Sequence, residues 1–251
     1  MRRCHAIQTF TLSKHAISIL KTLIEKIQHD GFCFVAATDA RPLLGDLSDW
    51  PAFEASWNDM PLDTYMADGG RYRRRRHATL SVATHSRQAK IEPHQPHYQS
   101  IDYNNLNGGI ARHFEPIRRD IVEGASMSAM LALCIRVFDD LASGRTWHVE
   151  VHQFRIEAGA QRQGMPTPEG VHRDGVNYVM VVMVKRQNIA EGTTTIHDAS
   201  GQRLASFTLT QPLDFTLVDD ERCLHGVTPV VPIESAFPAY RDVLVITFRA
   251  K

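Results

Sequence analysis

The chain has 251 residues, and its 28 lysines and arginines balance its 28 aspartates and glutamates, so the formal net charge is zero. This balance excludes a strong global attraction to nucleic acid or to an acidic membrane, and the 43% hydrophobic fraction is typical of a globular protein. No linker or internal repeat divides the chain. We therefore expect a single domain over 1–251, with a helix-rich part over 1–145 and a β-rich core over 146–251.

The cysteines and the N-terminus favour a cytoplasmic protein with no membrane partner. The four cysteines are far apart and predict reduced thiols: Cys4, Cys33, Cys134 and Cys223. No apolar run follows the first arginines, so a signal peptide is not expected, and no stretch approaches the roughly 20 apolar residues of a membrane span. A homo-oligomer is compatible with this composition.

Two helical patterns dominate the first half. Apolar residues recur at three- and four-residue spacing over 16–27, and Gly31 is expected to end that helix before a short strand over 32–36. The second helical region is expected to begin near Pro116, a favourable first-turn residue, and to continue over 117–137. These patterns place the helices ahead of the strands in the chain.

The second half predicts strands. Residues 147–156 alternate in polarity, and 176–184 is a run of valine, methionine and tyrosine with strong β preference. Shorter runs are also expected to be strands: 193–196, 204–209, 212–218 and 243–248. Many short strands separated by turn residues predict a sandwich or barrel, with the helices of the first half packed outside it.

A candidate metal motif reads His172-Arg173-Asp174-Gly175. His172 and Asp174 are two residues apart, so in an extended segment their side chains point to the same face. Gly175 permits a sharp turn after the carboxylate. A third ligand must come from elsewhere, and His225 lies just before the last predicted strand. Two imidazoles and one carboxylate suit Fe(II) and leave coordination positions open for a cosubstrate and oxygen.

Two other patterns compete with this motif. The first is His113-Phe114-Glu115. The carboxylate of Glu115 is better explained by its interaction with the dipole of a helix expected to start beside Pro116. His148, Glu150 and His152 share one face of a strand, but they spread over ~13 Å, too far for one metal without outside help. A solvated or hydrogen-bonded strand face is the alternative interpretation of these three side chains.

Arg241 stands at the start of the last predicted strand. Its planar guanidinium can hold the distal carboxylate of a dicarboxylate cosubstrate through two parallel hydrogen bonds, which lysine cannot match. A surface position at the strand edge is the alternative, and Arg249 is the reserve candidate.

Seven segments carry a resemblance to a known family, and they are densest from Val149 onward. They lie at 72–75, 107–112, 167–175, 184–189, 219–222, 225–229 and 240–248. Together they resemble the bacterial Fe(II)/2-oxoglutarate dioxygenases that hydroxylate free L-amino acids, the L-isoleucine hydroxylase type. One departure is Glu191-Gly192, where that family tends to have two glycines.

The resemblance implies a mainly β, α+β fold: a double-stranded β-helix (jelly roll, cupin-like barrel) with helices packed outside it. It also implies Fe(II) held by His172, Asp174 and His225, with 2-oxoglutarate chelating the iron and salt-bridged by Arg241. The implied oxidoreductase uses O2 to hydroxylate an unactivated C–H bond of a free aliphatic L-amino acid, and it releases succinate and CO2.

A free amino acid needs partners for its carboxylate and its ammonium group. Candidates are Arg155, the arginine cluster over 73–76 and the loop over 157–170, whose glycines and prolines also favour a lid. Most of the cluster is expected on a solvated surface, with one arginine as a candidate to turn inward.

Two rival functions stay open. The first is a 2-oxoglutarate oxygenase with another substrate (an N-acyl amino acid, a peptide or a nucleic acid). The basic run over 71–76 could track a phosphate backbone, although the neutral net charge disfavours this. The second rival is a catalytically inactive barrel that binds a metal or a metabolite.

Overall fold

The computed structural model describes residues 12–251, which contain five helices and twelve strands. The helices are α1 (Lys14–Asp30), α2 (Ala37–Leu43), α3 (Trp50–Ala55), α4 (Arg119–Val122) and α5 (Ala125–Leu141). The strands are β1 (Phe32–Val35), β2 (Arg73–Val82), β3 (Lys90–Ile91), β4 (Trp147–Ala158), β5 (Tyr178–Gln187), β6 (Ile189–Glu191), β7 (Thr194–His197), β8 (Arg203–Phe207), β9 (Phe215–Asp219), β10 (Leu224–Val227), β11 (Val230–Pro232) and β12 (Ala239–Ala250).

The strands form one large antiparallel sheet and two small ones. The large sheet has the order β1-β9-β5-β12-β4-β2-β3, and the small sheets have the orders β10-β7-β8 and β11-β6. In the large sheet the long strand β12 pairs with β4 on one side and with β5 on the other. The expected jelly roll with helices outside it is therefore confirmed.

The two faces of the large sheet have different roles because successive side chains of a strand point to opposite sides. On β4, the odd-numbered residues from Trp147 to Val151 join the buried apolar side chains of α1 and α5 in the main core. The even-numbered residues from His148 to Ile156 line a cavity instead. One face of the sheet thus stabilises the fold, and the other face is available for function.

The first predicted helix is confirmed as α1. The Ser13 side chain accepts a hydrogen bond from the Ala16 N–H at its start. At its end, Gly31 adopts a left-handed φ of 82° and donates its N–H to the carbonyl of Ile27. Glycine adopts this backbone conformation without steric strain, which is why the chain leaves the helix there.

The second helical region begins later than predicted. Pro116 lies outside a helix and forms an isolated bridge with His77 of β2, and α4 starts at Arg119. The N–H of His77 donates to the carbonyl of Glu115 at 3.0 Å, which ties this residue to β2. The helix-dipole explanation for the carboxylate of Glu115 is therefore wrong, because no helix starts beside it.

The described cysteines Cys33, Cys134 and Cys223 are free and buried, as expected for reduced thiols, whereas Cys4 lies outside the described residues. Burial raises the pKa of the Cys33 thiol to about 11, so it is protonated and unreactive at neutral pH. Over residues 12–251, no helix has the length and apolar character needed to cross a membrane.

Candidate metal centre

The backbone brings two distant histidines together. His172 and His225 form an isolated antiparallel bridge, in which each N–H donates to the carbonyl of the other residue at 2.9 Å. Asp174 follows two residues after the first histidine. Its Oδ1 lies 3.4 Å from Nε2 of His172, and its Oδ2 lies 3.7 Å from Nε2 of His225. The three predicted ligands thus offer donor atoms within 4.8 Å of one another.

A buried carboxylate that the sequence did not single out organises the loop around Asp174. Asp220 is 1% exposed and accepts hydrogen bonds from the N–H groups of Asp174, Gly175 and Val176 at 2.9, 2.8 and 3.1 Å. Burial raises the pKa of Asp220 to about 7, and the neighbouring Asp174 charge adds to the shift. Asp220 lies immediately after β9, so the large sheet sets the position of the ligand loop.

The sharp turn predicted at Gly175 is present. Its φ is +79°, and a Cβ atom there would lie 2.5 Å from the ring of Tyr103. The glycine therefore meets two needs, a left-handed backbone and close contact with an aromatic ring. Tyr103 belongs to the segment over 97–112, which lies against the ligand loop at the rim of the cavity.

The donor set fits a divalent metal. Burial lowers the pKa of His225 to about 4, with the charge of His172 acting in the same direction, so this imidazole is neutral and able to bind a metal at neutral pH. For Asp174, burial opposes ionisation, but hydrogen bonding and the two histidines lower the pKa below its usual value. Burial also lowers the pKa of His172, yet nearby carboxylates outweigh it and raise the pKa to about 9, so a metal must displace a proton there.

A second histidine cluster borders the same cavity, which three of its four members line. Donor atoms of His77, His97, Glu150 and His152 also lie within 4.8 Å of one another. His77 of β2 and His97 of the segment after β3 thus add donor atoms to Glu150 and His152 on the predicted face of β4. However, a guanidinium nitrogen of Arg75 lies 3.0 Å from Nδ1 of His152. A dication here would meet one carboxylate beside a buried positive charge, which disfavours a metal.

This second cluster is better explained as a polar network around the carboxylate of Glu150. Nδ1 of His97 lies 2.9 Å from one oxygen of Glu150, and Nε2 of His77 lies 3.3 Å from the other. Burial lowers the pKa of His97 to about 4, so the ring is neutral and donates to the carboxylate. The cluster is therefore built by side chains from three segments, β2, the segment after β3 and β4, rather than by one strand face.

Arg241 is placed for an anion. It is 3% exposed, it lines the cavity, and its Nε and Nη2 have no hydrogen-bond partner among residues 12–251. Burial and the charge of Arg186 lower its pKa to about 10, which leaves it protonated at neutral pH. A buried guanidinium without a counter-charge is costly unless a ligand supplies the anion. Arg249, the reserve candidate, also reaches the cavity but is exposed.

The cavity has a volume of about 280 Å³ and contains both the three-residue cluster and Arg241. It is close to the lower end of the range for small-molecule sites. Arg155 is not part of it, because its guanidinium pairs with Asp242 at 2.7 Å on the other face of the sheet. Two arginines of the predicted cluster, Arg73 and Arg75, turn into the cavity rather than one.

Residues 54–247 match the 2OG-Fe dioxygenase family. The chain belongs to this family. The dioxygenase is 29% identical over 165 residues to the L-isoleucine-4-hydroxylase of Bacillus thuringiensis, and this alignment covers 62% of the chain and 65% of that protein. It is 26% identical over 160 residues to the 3(1)-hydroxy-L-isoleucine 4-dioxygenase of Pantoea ananatis (strain AJ13355), and this alignment covers 61% of the chain and 64% of that protein. The matches thus span less than two thirds of either relative.

Solved structures agree with this assignment. A BsmA homologue from Methylobium petroleophilum PM1 is 36% identical, superposes with a TM-score of 0.84 and is matched over 92% of both chains. The protein IDO from Bacillus thuringiensis has a TM-score of 0.72 over 92% of this chain and 99% of its own, at 18% identity, which supports the fold alone. Dioxygenases of this family use Fe(II), 2-oxoglutarate and O2.

Proposed function

We propose that this dioxygenase hydroxylates an unactivated C–H bond of a free aliphatic L-amino acid. His172, Asp174 and His225 would hold Fe(II), and Arg241 would bind the distal carboxylate of 2-oxoglutarate. One observation carries the proposal: a single cavity joins three convergent metal donors to a buried guanidinium that has no anionic partner. Two imidazoles and a carboxylate on one side leave room for the keto-acid end of 2-oxoglutarate and for O2.

When bound, the iron and 2-oxoglutarate supply the oxidation: O2 is split, one oxygen atom enters succinate as CO2 leaves, and the other becomes the hydroxyl group of the product. The protein contributes position. Arg241 fixes one end of 2-oxoglutarate so that the other end is directed at the three ligands. Asp220 holds the loop that carries Asp174 through three N–H groups, and Tyr103 covers that loop at Gly175.

The substrate class is supported by the size of the cavity and by the relatives. A cavity of about 280 Å³ suits small molecules rather than a polymer, and both curated relatives are named for isoleucine or a hydroxylated isoleucine. The basic run over 71–76 gives little support to a nucleic acid. Arg74 is paired with Glu157 at 2.7 Å, and Arg76 donates to the carbonyl of Pro116 at 3.0 Å.

The proposal is tested by supplying anaerobically purified protein with Fe(II) and 2-oxoglutarate, admitting O2, and measuring succinate with a panel of free L-amino acids and their N-acyl derivatives. We expect an aliphatic L-amino acid to stimulate succinate formation and to gain one oxygen atom by mass spectrometry. The Asp174→Ala variant serves as the inactive control. Stimulation by N-acyl derivatives alone would change the substrate class, and no stimulation at all would favour the inactive binding barrel.

A further inference from the structure

Two further arginines of the cavity lack an anionic partner. Arg75 is 5% exposed and Arg112 is 1% exposed, and among residues 12–251 neither forms an ion pair within 4.0 Å. The Nε atom of each is buried without a hydrogen-bond partner. Their neighbour Arg73 differs, because it pairs with Asp63 at 2.7 Å. Such a buried pair of unneutralised guanidinium groups is destabilising unless a bound anion compensates both charges.

Aromatic rings hold the guanidinium of Arg75 in place. Its Cζ lies 4.0 Å from the ring centroid of Phe114 and 4.6 Å from that of Phe154, so the group is contacted by two rings. One nitrogen contacts Nδ1 of His152 at 3.0 Å. The side chain is therefore fixed before any ligand arrives, which lowers the entropy that binding must remove. Arg112 approaches the same Phe114 ring, with its Cζ 5.9 Å from the centroid.

Contacts connect Arg112 to the candidate metal centre. Its Nη2 lies 3.5 Å from Oε1 of Gln99, and Nε2 of Gln99 donates to the carbonyl of Asp174 at 3.1 Å. The backbone of Arg112 is fixed as well, through two hydrogen bonds of 2.9 Å with His97. Only the side chain of Gln99 thus separates Arg112 from the metal ligand Asp174. A small substrate bound to Arg112 through an anionic group could therefore also reach the metal centre.

The cavity also contains a carboxylate, that of Glu169, with an unpaired oxygen. The side chain of Glu169 is 9% exposed, its Oε1 lies 3.4 Å from Nε2 of His172, and its Oε2 is buried without a hydrogen-bond partner. Glu150, the other cavity glutamate, already interacts with His97 and His77. The cavity therefore presents unpaired donors at the arginines and one unpaired acceptor beside the metal cluster. An α-amino acid carries the two complementary charges.

We propose that Arg75 and Arg112 bind the α-carboxylate of the substrate and that Glu169 accepts its ammonium group, so that the site selects free amino acids by both charged ends. This inference rests on the proposed function and adds the residues that recognise the substrate. Two guanidinium groups suit a carboxylate through charge-assisted hydrogen bonds, and a site that leaves a buried polar group unpaired rejects an analogue strongly.

The test measures substrate binding by calorimetry, without turnover. Protein loaded with Mn(II) and 2-oxoglutarate under anaerobic conditions is titrated with isoleucine, leucine and valine, and then with their amides, their N-acetyl derivatives and the matching 2-hydroxy acids. We expect the best amino acid to bind about 30-fold more tightly than either analogue. Arg112→Met leaves Arg75 as the remaining guanidinium, so the preference for the amino acid over its amide should fall to less than about fivefold. In Glu169→Gln the amino acid and the hydroxy acid should bind equally.

Arg74→Met is the matched control. Arg74 precedes Arg75 on β2 and points to the opposite face, so its loss should change affinity by less than about twofold. Arg112→Met also removes a buried unpaired charge, so its melting temperature should equal or exceed that of the wild type. If Arg112→Met fails to fold, Arg112→Lys is the substitute, because it keeps the charge but loses the planar guanidinium that pairs with a carboxylate. It should still bind the amino acid more weakly than the wild type does.

Each outcome has a separate meaning. Equal binding of acids and amides by the wild-type protein overturns the role of the arginines. Binding of N-acetyl amino acids alone, with the same dependence on Arg112, overturns the role of Glu169 and the free-amino-acid substrate but retains the carboxylate site. If no acid binds while 2-oxoglutarate does, the inference is wrong and the dioxygenase assignment stands.

Discussion

Replacing Arg241 with methionine should weaken 2-oxoglutarate binding without weakening the fold. The guanidinium is 3% exposed and has two nitrogens without partners, so it is available for a paired interaction with a carboxylate. Truncating one partner of a buried charged pair costs roughly 2–5 kcal/mol, and about 3 kcal/mol corresponds to a 100-fold change in Kd. Methionine is unbranched and of similar length, so it limits the cavity that the substitution leaves.

The assay is calorimetric titration of Mn(II)-loaded protein with 2-oxoglutarate, together with a thermal melt of the metal-free protein. Arg249→Met is the control, because Arg249 lies on the same strand and lines the same cavity but is exposed. Its Kd should change by less than about twofold. The reasoning fails if Arg241→Met binds 2-oxoglutarate as tightly as the wild type, or if Arg249→Met shows the larger loss.

Three further predictions follow from the surroundings of the metal cluster. Asp220→Ala removes the acceptor of three N–H groups, so Mn(II) affinity should fall by about 10- to 100-fold; unchanged affinity contradicts that role. Gly175→Ala should lower the unfolding free energy by about 1–3 kcal/mol in urea titrations, because its φ is +79° and Tyr103 blocks a Cβ; a neutral effect refutes this. Burial lowers the pKa of His97 to about 4 in the folded protein, so between pH 7 and pH 5 the imidazole gains a proton only in the unfolded chain. Lowering the pH from 7 to 5 should therefore reduce the unfolding free energy by about 2 kcal/mol through this residue. His97→Gln should lose this contribution to the pH dependence of stability, and an unchanged pH dependence contradicts the prediction.

The metal motif was predictable because its signals are local. A two-residue spacing, a glycine after the carboxylate and a histidine before a late strand are all visible in the sequence, and the structure gathers His172, Asp174 and His225 within 4.8 Å. The β-rich half was predictable for a similar reason, since polarity alternates along 147–156 and β4 begins at Trp147 as expected. That these three residues bind iron stays a prediction.

Strand β2 was not predicted because its first four residues are arginines, which suggest a solvated surface. The structure shows that the cluster alternates: Arg73 and Arg75 turn into the cavity, whereas Arg74 and Arg76 point outward to partners on the other side. The period of a strand was therefore present, but the identity of the side chains concealed it. A buried arginine needs a counter-charge or an anionic ligand, and neither is visible in a local window.

Asp220 and Gln99 were not predicted as parts of the site because they act through contacts between distant segments. Asp220 is 46 residues from the backbone N–H of Asp174 that it binds, and Gln99 is 75 residues from the same aspartate. Hydrogen bonds of this kind leave no fixed spacing in a single sequence. Only the folded chain shows which carboxylate holds the ligand loop.

Metal stoichiometry and affinity test the central claim most directly. Electron paramagnetic resonance can count bound Mn(II) in wild-type protein, in Asp174→Ala and in Glu150→Gln, which alters the second histidine cluster without touching the first. We predict one ion per chain in the wild type and in Glu150→Gln, and an affinity loss of more than about 100-fold in Asp174→Ala, because even an outer hydrogen-bond partner contributes up to that factor. Retained binding in Asp174→Ala, or loss in Glu150→Gln, would contradict the assignment of His172, Asp174 and His225 as the metal centre.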